Sequence, residues 1–165
     1  MADGASTGQA YGLALGVQAD WTSHVYRRAA DVAGEVTHPV LHACTRPLPA
    51  DRGDFGVGVV ELLGPDDVFV ALVEYGAELA GRGLFARQGL PRLAPSQFGP
   101  DRLQRVVPGR SAAQHFCTEG GRAFCVFVVL GSHARRMALV PRAARLLAGL
   151  RITDRSTLLR RGVTS

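Results

Sequence analysis

A chain of 165 residues, 47% apolar and 20% charged, has the length and composition of one globular domain with a sizeable core. All 19 basic residues are arginine, and neither lysine nor asparagine occurs, which excludes Schiff-base catalysis and a nucleotide loop built on a phosphate-gripping lysine. The formal net charge of +5 is uneven: residues 1–75 carry four arginines against ten acids, 76–110 six against two, and 135–165 eight against one.

The arginine-only usage matches the codon bias of a high-GC bacterial genome. No apolar run approaches the eighteen or so residues that span a bilayer, so no membrane insertion is expected. The opening MADGASTGQAYG lacks the basic patch and apolar segment of a secretory signal, which predicts a cytoplasmic protein. Three cysteines, Cys44, Cys117 and Cys125, are too few and too odd in number for a disulfide framework and are expected reduced and buried.

Along the chain, residues 1–10 read as a flexible start. YGLALGVQADW alternates Leu13, Leu15 and Val17 and predicts a first strand. HVYRR predicts a second, AADVAGEV a helical turn or loop, and HPVLHACTRPLP a third strand ending in the turn residues PADRGD. FGVGVVELL and VFVALVEY flank GPDD and predict a hairpin with Leu63 opposite Val68, which puts Glu61 and Glu74 on one sheet face. Residues 76–110 hold Pro91, Pro95, Pro100 and Pro108 and predict an irregular connector with short helical pieces near 84–87 and 100–105.

A second hairpin, SAAQHFCTE and RAFCVFVVL, turns at Gly120–Gly121. Its register sets Glu119 opposite Arg122, Cys117 opposite Phe124, Phe116 opposite Cys125 and His115 opposite Val126. Cys117 and Cys125 then point to opposite faces, and the unbroken apolar run of the second strand predicts burial on both. After Gly131, Met137, Val140, Ala144, Leu147 and Ala148 fall at helical spacing, with Arg135, Arg136, Arg142 and Arg145 outward. Ser132 suits the N-cap, Pro141 kinks the helix or starts its main part, Gly149 ends it, and Leu150–Ile152 reads as a last strand. Residues 153–165 read as a frayed basic tail.

The YGLALGVQADW opening, the mid-chain hairpins, the buried penultimate strand and the closing ARLLAGLRI resemble the PsbP-like superfamily over residues 11–152, in particular small actinobacterial proteins of the LpqN type. That resemblance implies an antiparallel sheet between helices and non-enzymatic protein binding. It carries over no catalytic residue.

Soft ligands at spacings zinc tolerates are His38, His42 and Cys44, with His115 and Cys117. No Cys-x2-Cys knuckle accompanies them, so no metal and no cofactor is expected. His115 beside Cys117 is the one arrangement that a small-ligand or metal-binding enzyme would use. Ser132–His133 are chain neighbours without a nucleophile elbow and read as punctuation between strand and helix. No catalytic residue is assigned. The basic second half permits nucleic-acid binding, but aromatics do not interleave with its arginines and no recognition motif occurs.

The expectation is therefore one α+β domain: a central antiparallel sheet, flanking helices, and a C-terminal helix followed by a short last strand. Its expected role is non-catalytic protein interaction, docking an acidic partner through the 76–110 connector. Arg82, Phe85, Arg87, Arg92, Phe98, Arg102 and Arg105 would make the contact, with Arg135 and Arg136 assisting.

Overall fold

Two apolar stretches, VFVALVEY and RAFCVFVVL, find partners on both sides, and this sets the architecture. The computed structural model describes residues 9–16 and 18–162; Val17, counted above in the first strand, lies outside them. Five strands, β3 (Thr22–Arg27), β4 (Pro39–Cys44), β5 (Val68–Tyr75), β6 (Ser111–Glu119) and β7 (Arg122–Leu130), form an antiparallel sheet in the order β3-β4-β5-β7-β6. A smaller antiparallel sheet joins the chain ends, with β1 (Gln9–Ala10), β2 (Leu13–Leu15) and β8 (Leu150–Ile152) in the order β1-β2-β8. Two helices, α1 (Arg136–Ala148) and α2 (Arg155–Arg160), complete an α+β domain. Among the described residues no helix is long and apolar enough to cross a membrane.

The register of the β6–β7 hairpin is the one the Gly-Gly turn demands: Glu119 opposes Arg122, Cys117 opposes Phe124, Phe116 opposes Cys125 and His115 opposes Val126. Gly120 and Gly121 have φ of 58° and 72°, the left-handed pair of a primed two-residue turn. Every residue of β7 is buried, because both faces of the sheet are roofed. On the helix face, α1 and the small sheet pack over Leu41, Val70, Leu72, Phe124, Val126 and Val128. On the loop face, Val59, Val60, Leu63 and Leu103 pack over Val40, Phe69, Ala71, Phe127 and Val129.

That second roof overturns the expected first hairpin. FGVGVVELL does not pair with β5, whose neighbours are β4 and β7. Residues 45–67 instead form a long excursion between β4 and β5, closed where Thr45 N donates to the Val68 carbonyl (3.1 Å). Within it Val60–Leu62 make one 3-10 turn, and Val59, Val60 and Leu63 cap the loop face. The apolar run is a lid over the sheet, a role that its composition shares with a strand. Glu61 and Glu74 consequently share no face.

The connector's length follows from topology. β7 is antiparallel to both β5 and β6, so β5 and β6 run parallel and the chain must return the length of a strand between them. Residues 76–110 do so as single 3-10 turns, including Gly83–Phe85 and Pro100–Arg102, close to the expected helical pieces.

Three further corrections concern the C-terminal region. Helix α1 turns Leu139, Val140, Ala143, Leu146 and Leu147 inward and leaves Met137 70% exposed. The apolar stripe thus runs through three leucines, Leu139, Leu146 and Leu147, and leaves out Met137. Pro141 lies inside the helix, and Ser132 Oγ accepts from Arg135 N (3.3 Å), capping the turn before the helix and not its first residue. Residues 155–160 are a short helix, not a frayed tail, because Leu158 packs beside Gly12 of the N-terminal hairpin.

Gly131 marks the tightest approach in this framework. A Cβ there would lie 1.8 Å from the Gly64 carbonyl oxygen, while Gly131 N donates to the Asp67 carbonyl (2.8 Å). Gly131→Ala should lower stability by about 3 kcal/mol, because backbone would have to move to admit the methyl group. A urea midpoint within experimental error of wild type would contradict the packing at this strand end.

Candidate functional site

The connector 76–110 straddles the free edge of β6. It crosses that edge twice, each time through paired main-chain bonds. At one end Thr118 N donates to Arg87 O and Gly89 N to Thr118 O, both 2.8 Å; at the other Gly99 and Ala112 exchange bonds of 3.0 and 3.1 Å. Thr118 adds a side-chain bond to the Phe85 carbonyl (2.6 Å) and accepts from Gly81 N (2.8 Å). A segment with little regular structure is thereby tied to the sheet edge at both ends of β6.

This pinning decides which residues face outward. Phe85 is 6% exposed, wedged against Tyr75 and Phe116, and Phe98 is 5% exposed within the helix-face core. Neither is the exposed anchor expected of it, because both are among the apolar groups that hold the connector against the sheet. Arg82, Arg87, Arg92, Arg102 and Arg105 are all exposed, and none makes a side-chain hydrogen bond or ion pair among the described residues. Arg87 and Arg102 lie near enough to His115 to help lower its pKa, although burial is the larger cause. Arg92 borders a groove of about 400 Å³ between the connector and α1, floored by Leu90, Leu93, Leu147 and Leu150. Arg105 lies on the loop face beside Phe55 and Phe127. Arg135 is paired with Asp66, and Arg136 donates to the His133 carbonyl (3.0 Å), so both are engaged at the start of α1.

The metal and thiol candidates are divided by the sheet. His42 and Cys44 point to the loop face, whereas Cys117 belongs to the helix-face core with His115 two residues before it on β6. His38 precedes β4 and borders a separate cavity. Among the described residues no three His, Cys, Asp or Glu side chains are grouped to hold a metal ion. Burial pushes the Cys117 and Cys125 thiols up to about 11, which removes the thiolate a nucleophile requires. The three thiols are free, and Cys117 and Cys125 lie in different core clusters as the hairpin register demands. Glu61 is exposed and accepts from Gly58 N (2.9 Å), far in role from Glu74.

Two polar clusters escaped the sequence. In the first, Arg122 is 3% exposed and gives both oxygens of Glu74 a hydrogen bond (2.9 and 2.6 Å). Its remaining N–H groups reach the carbonyls of Tyr11 (3.0 Å), Gly12 (3.2 Å) and Thr153 (3.3 Å). The signal was an arginine and a glutamate at the ends of two apolar strands; their diagonal contact depends on the β5–β7 pairing, with Glu74 opposite Phe124.

In the second, Arg52 of the 45–67 excursion docks onto two histidines of β3 and β4. Its Nε donates to His42 Nδ1 (2.8 Å), one terminal nitrogen to His24 Nδ1 (2.8 Å) and the other to the Pro49 carbonyl (2.6 Å). The guanidinium lies 5.5 Å from the centre of the Tyr26 ring, whose hydroxyl donates to Asp54 (2.5 Å). His42 Nε2 faces the Asp54 carbonyl at 2.8 Å. A carbonyl only accepts and a guanidinium only donates, so His42 must be neutral with its proton on Nε2. Burial, aided by Arg52, lowers both histidine pKa values, that of His42 to about 4.

Comparison of the chain with protein-family models, with curated proteins and with solved structures returned no match.

The histidine cluster fixes a pH dependence. His42 binds its proton more weakly in the folded chain than in the unfolded one, so the unfolded state gains protons as pH falls from 6.5 towards 4 and stability drops over that window. The loss approaches about 3 kcal/mol below the folded-state value. Urea midpoints between pH 7 and pH 4 should fall more steeply for wild type than for His42→Gln. Parallel profiles would contradict the neutral imidazole.

Proposed function

We propose that this chain is a non-catalytic interaction module that docks an acidic partner protein on the connector face beside α1. The observation that carries this reading is a set of exposed guanidiniums, Arg87, Arg92 and Arg102 foremost, without internal acids, on a segment pinned to the β6 edge. An arginine that has no internal partner keeps its hydrogen-bonding capacity for an external carboxylate. The pinned backbone reduces the ordering cost of binding. The apolar complement is a recess instead of the protruding aromatics expected from sequence: Leu90, Leu93, Leu147 and Leu150 offer a floor into which a partner places an aliphatic or aromatic side chain.

The PsbP-like resemblance points the same way, towards a sheet-and-helix domain that binds protein. The buried, protonated thiols weigh against the alternative of a thiol enzyme at His115 and Cys117. Charge steering predicts a salt-sensitive association.

Charge reversal at Arg87 and Arg92 should reduce capture of the partner from native extract at least tenfold at low salt. Both side chains are exposed, so the urea midpoint should stay near wild type. Capture should also survive nuclease treatment. Undiminished capture by the double variant would remove the connector from the interface, and nuclease-sensitive capture would replace the protein partner by nucleic acid.

A further inference from the structure

The turn between β1 and β2 holds a backbone that side-chain-bearing residues avoid. Tyr11 has φ of 52°, the one non-glycine residue at positive φ among the described residues, and Gly12 follows at 72°. Asparagine, aspartate or glycine normally takes the first of these positions. Tyr11 is kept there from two sides. Arg122 binds the carbonyls of both turn residues, and the Arg27 guanidinium lies 5.2 Å from the centre of the Tyr11 ring. Strain of this kind gathers at ligand clamps.

Beside this turn is a cavity of about 60 Å³. Its charges do not balance. Glu74 is the one carboxylate in its lining, and both of its oxygens are taken by Arg122. Arg27 and Arg155 also line it, and neither has an ion pair among the described residues. Arg27 Nε is shielded from solvent yet has no hydrogen-bond partner, an arrangement that proteins rarely leave unused. His38 adds a further nitrogen-bearing ring to the wall. The lining also includes the apolar side chains of Pro39, Ala77, Leu158 and Leu159. The cavity is closed on one side by α2, which brings Leu158 against Gly12 of the N-terminal hairpin and starts at the Gly120–Gly121 turn, where Arg155 N donates to the Gly120 carbonyl (2.9 Å).

We propose that this cavity binds a small organic carboxylate with a short aliphatic tail. The carboxylate is held by Arg27 and Arg155, whose planar donors suit its two oxygens. The tail lies on Pro39, Ala77 and Leu158, and the cavity's volume admits only compact ligands. The Arg122–Glu74 pair, already neutral and saturated, forms the rigid back wall. This site is separate from the connector face and stands without it.

Sodium butyrate is the probe, titrated into the full chain by calorimetry and by thermal melting, with inorganic phosphate and chloride at equal ionic strength as comparisons. Butyrate should bind saturably and, at a hundredfold excess over its Kd, raise the melting temperature by about 8 °C. Arg27→Gln should weaken binding at least tenfold. Arg155→Gln, at an exposed position on a short helix, should also weaken binding and provides the test if the first variant melts early. Absence of saturable butyrate binding to wild type overturns the proposal. So does unchanged affinity in Arg155→Gln, or an equal response to phosphate or chloride, which would reduce the site to unspecific ion binding.

Discussion

The Arg122–Glu74 pair is the joint on which the two sheets depend. Arg122 has five N–H donors, and the fold provides an acceptor for each: two carboxylate oxygens from β5 and carbonyls from Tyr11, Gly12 and Thr153. The five-stranded sheet is thereby fastened to both ends of the chain through one side chain. A buried ion pair adds little net stability when compared with apolar residues of the same shape. It ties the position of the small sheet to β7, because three of the guanidinium's five acceptors are carbonyls of the β1–β2 turn and of the residue after β8. Removal of a single member would strand a charge in a nearly dry environment, so both must be kept or both replaced.

From that joint the two faces diverge in character. The helix face is sealed by α1 and the small sheet, with apolar contacts that include Phe98 and Phe124. The loop face is sealed by irregular segments, and its roof is tied down by Arg52 acting on two histidines that must remain neutral. The loop face thus depends on neutral imidazoles, and the helix face on apolar packing together with the charged Arg122–Glu74 pair. The connector belongs to neither: it crosses the β6 edge twice, sends Leu90, Leu93 and Phe98 to one side and Leu103 to the other, and leaves its guanidiniums in solvent.

What sequence could reveal followed the range of the interactions concerned. The Gly120–Gly121 turn is local, so it specified the β6–β7 register residue by residue, including the opposed cysteines. Hydropathy marked β7 as buried on both faces. Residues 55–63 misled because an apolar lid and an apolar strand have the same composition; the difference is set by β7 taking the place beside β5. Phe85 and Phe98 misled for a related reason. A proline-rich segment gives no hint that it straddles a sheet edge and needs apolar grips on both sides. Arg122, Arg52 and Arg27 were invisible because their partners lie in segments distant along the chain, and an arginine's letter is the same whether its head is buried or solvated.

The pairing of β2 with β8 joins Leu13 to Ile152, so the small sheet spans nearly the whole sequence. During synthesis the first strand leaves the ribosome long before its partner exists. At ordinary elongation rates the interval is roughly ten to thirty seconds. Through that time the five-stranded sheet can assemble, yet its helix face lacks its cover and Arg122 lacks the Thr153 acceptor. The nascent chain thus passes through a stage with an exposed aliphatic surface at its centre and an unattached leading hairpin. A chaperone that shields such surfaces would act on the chain until α1 and β8 have emerged and closed the helix face.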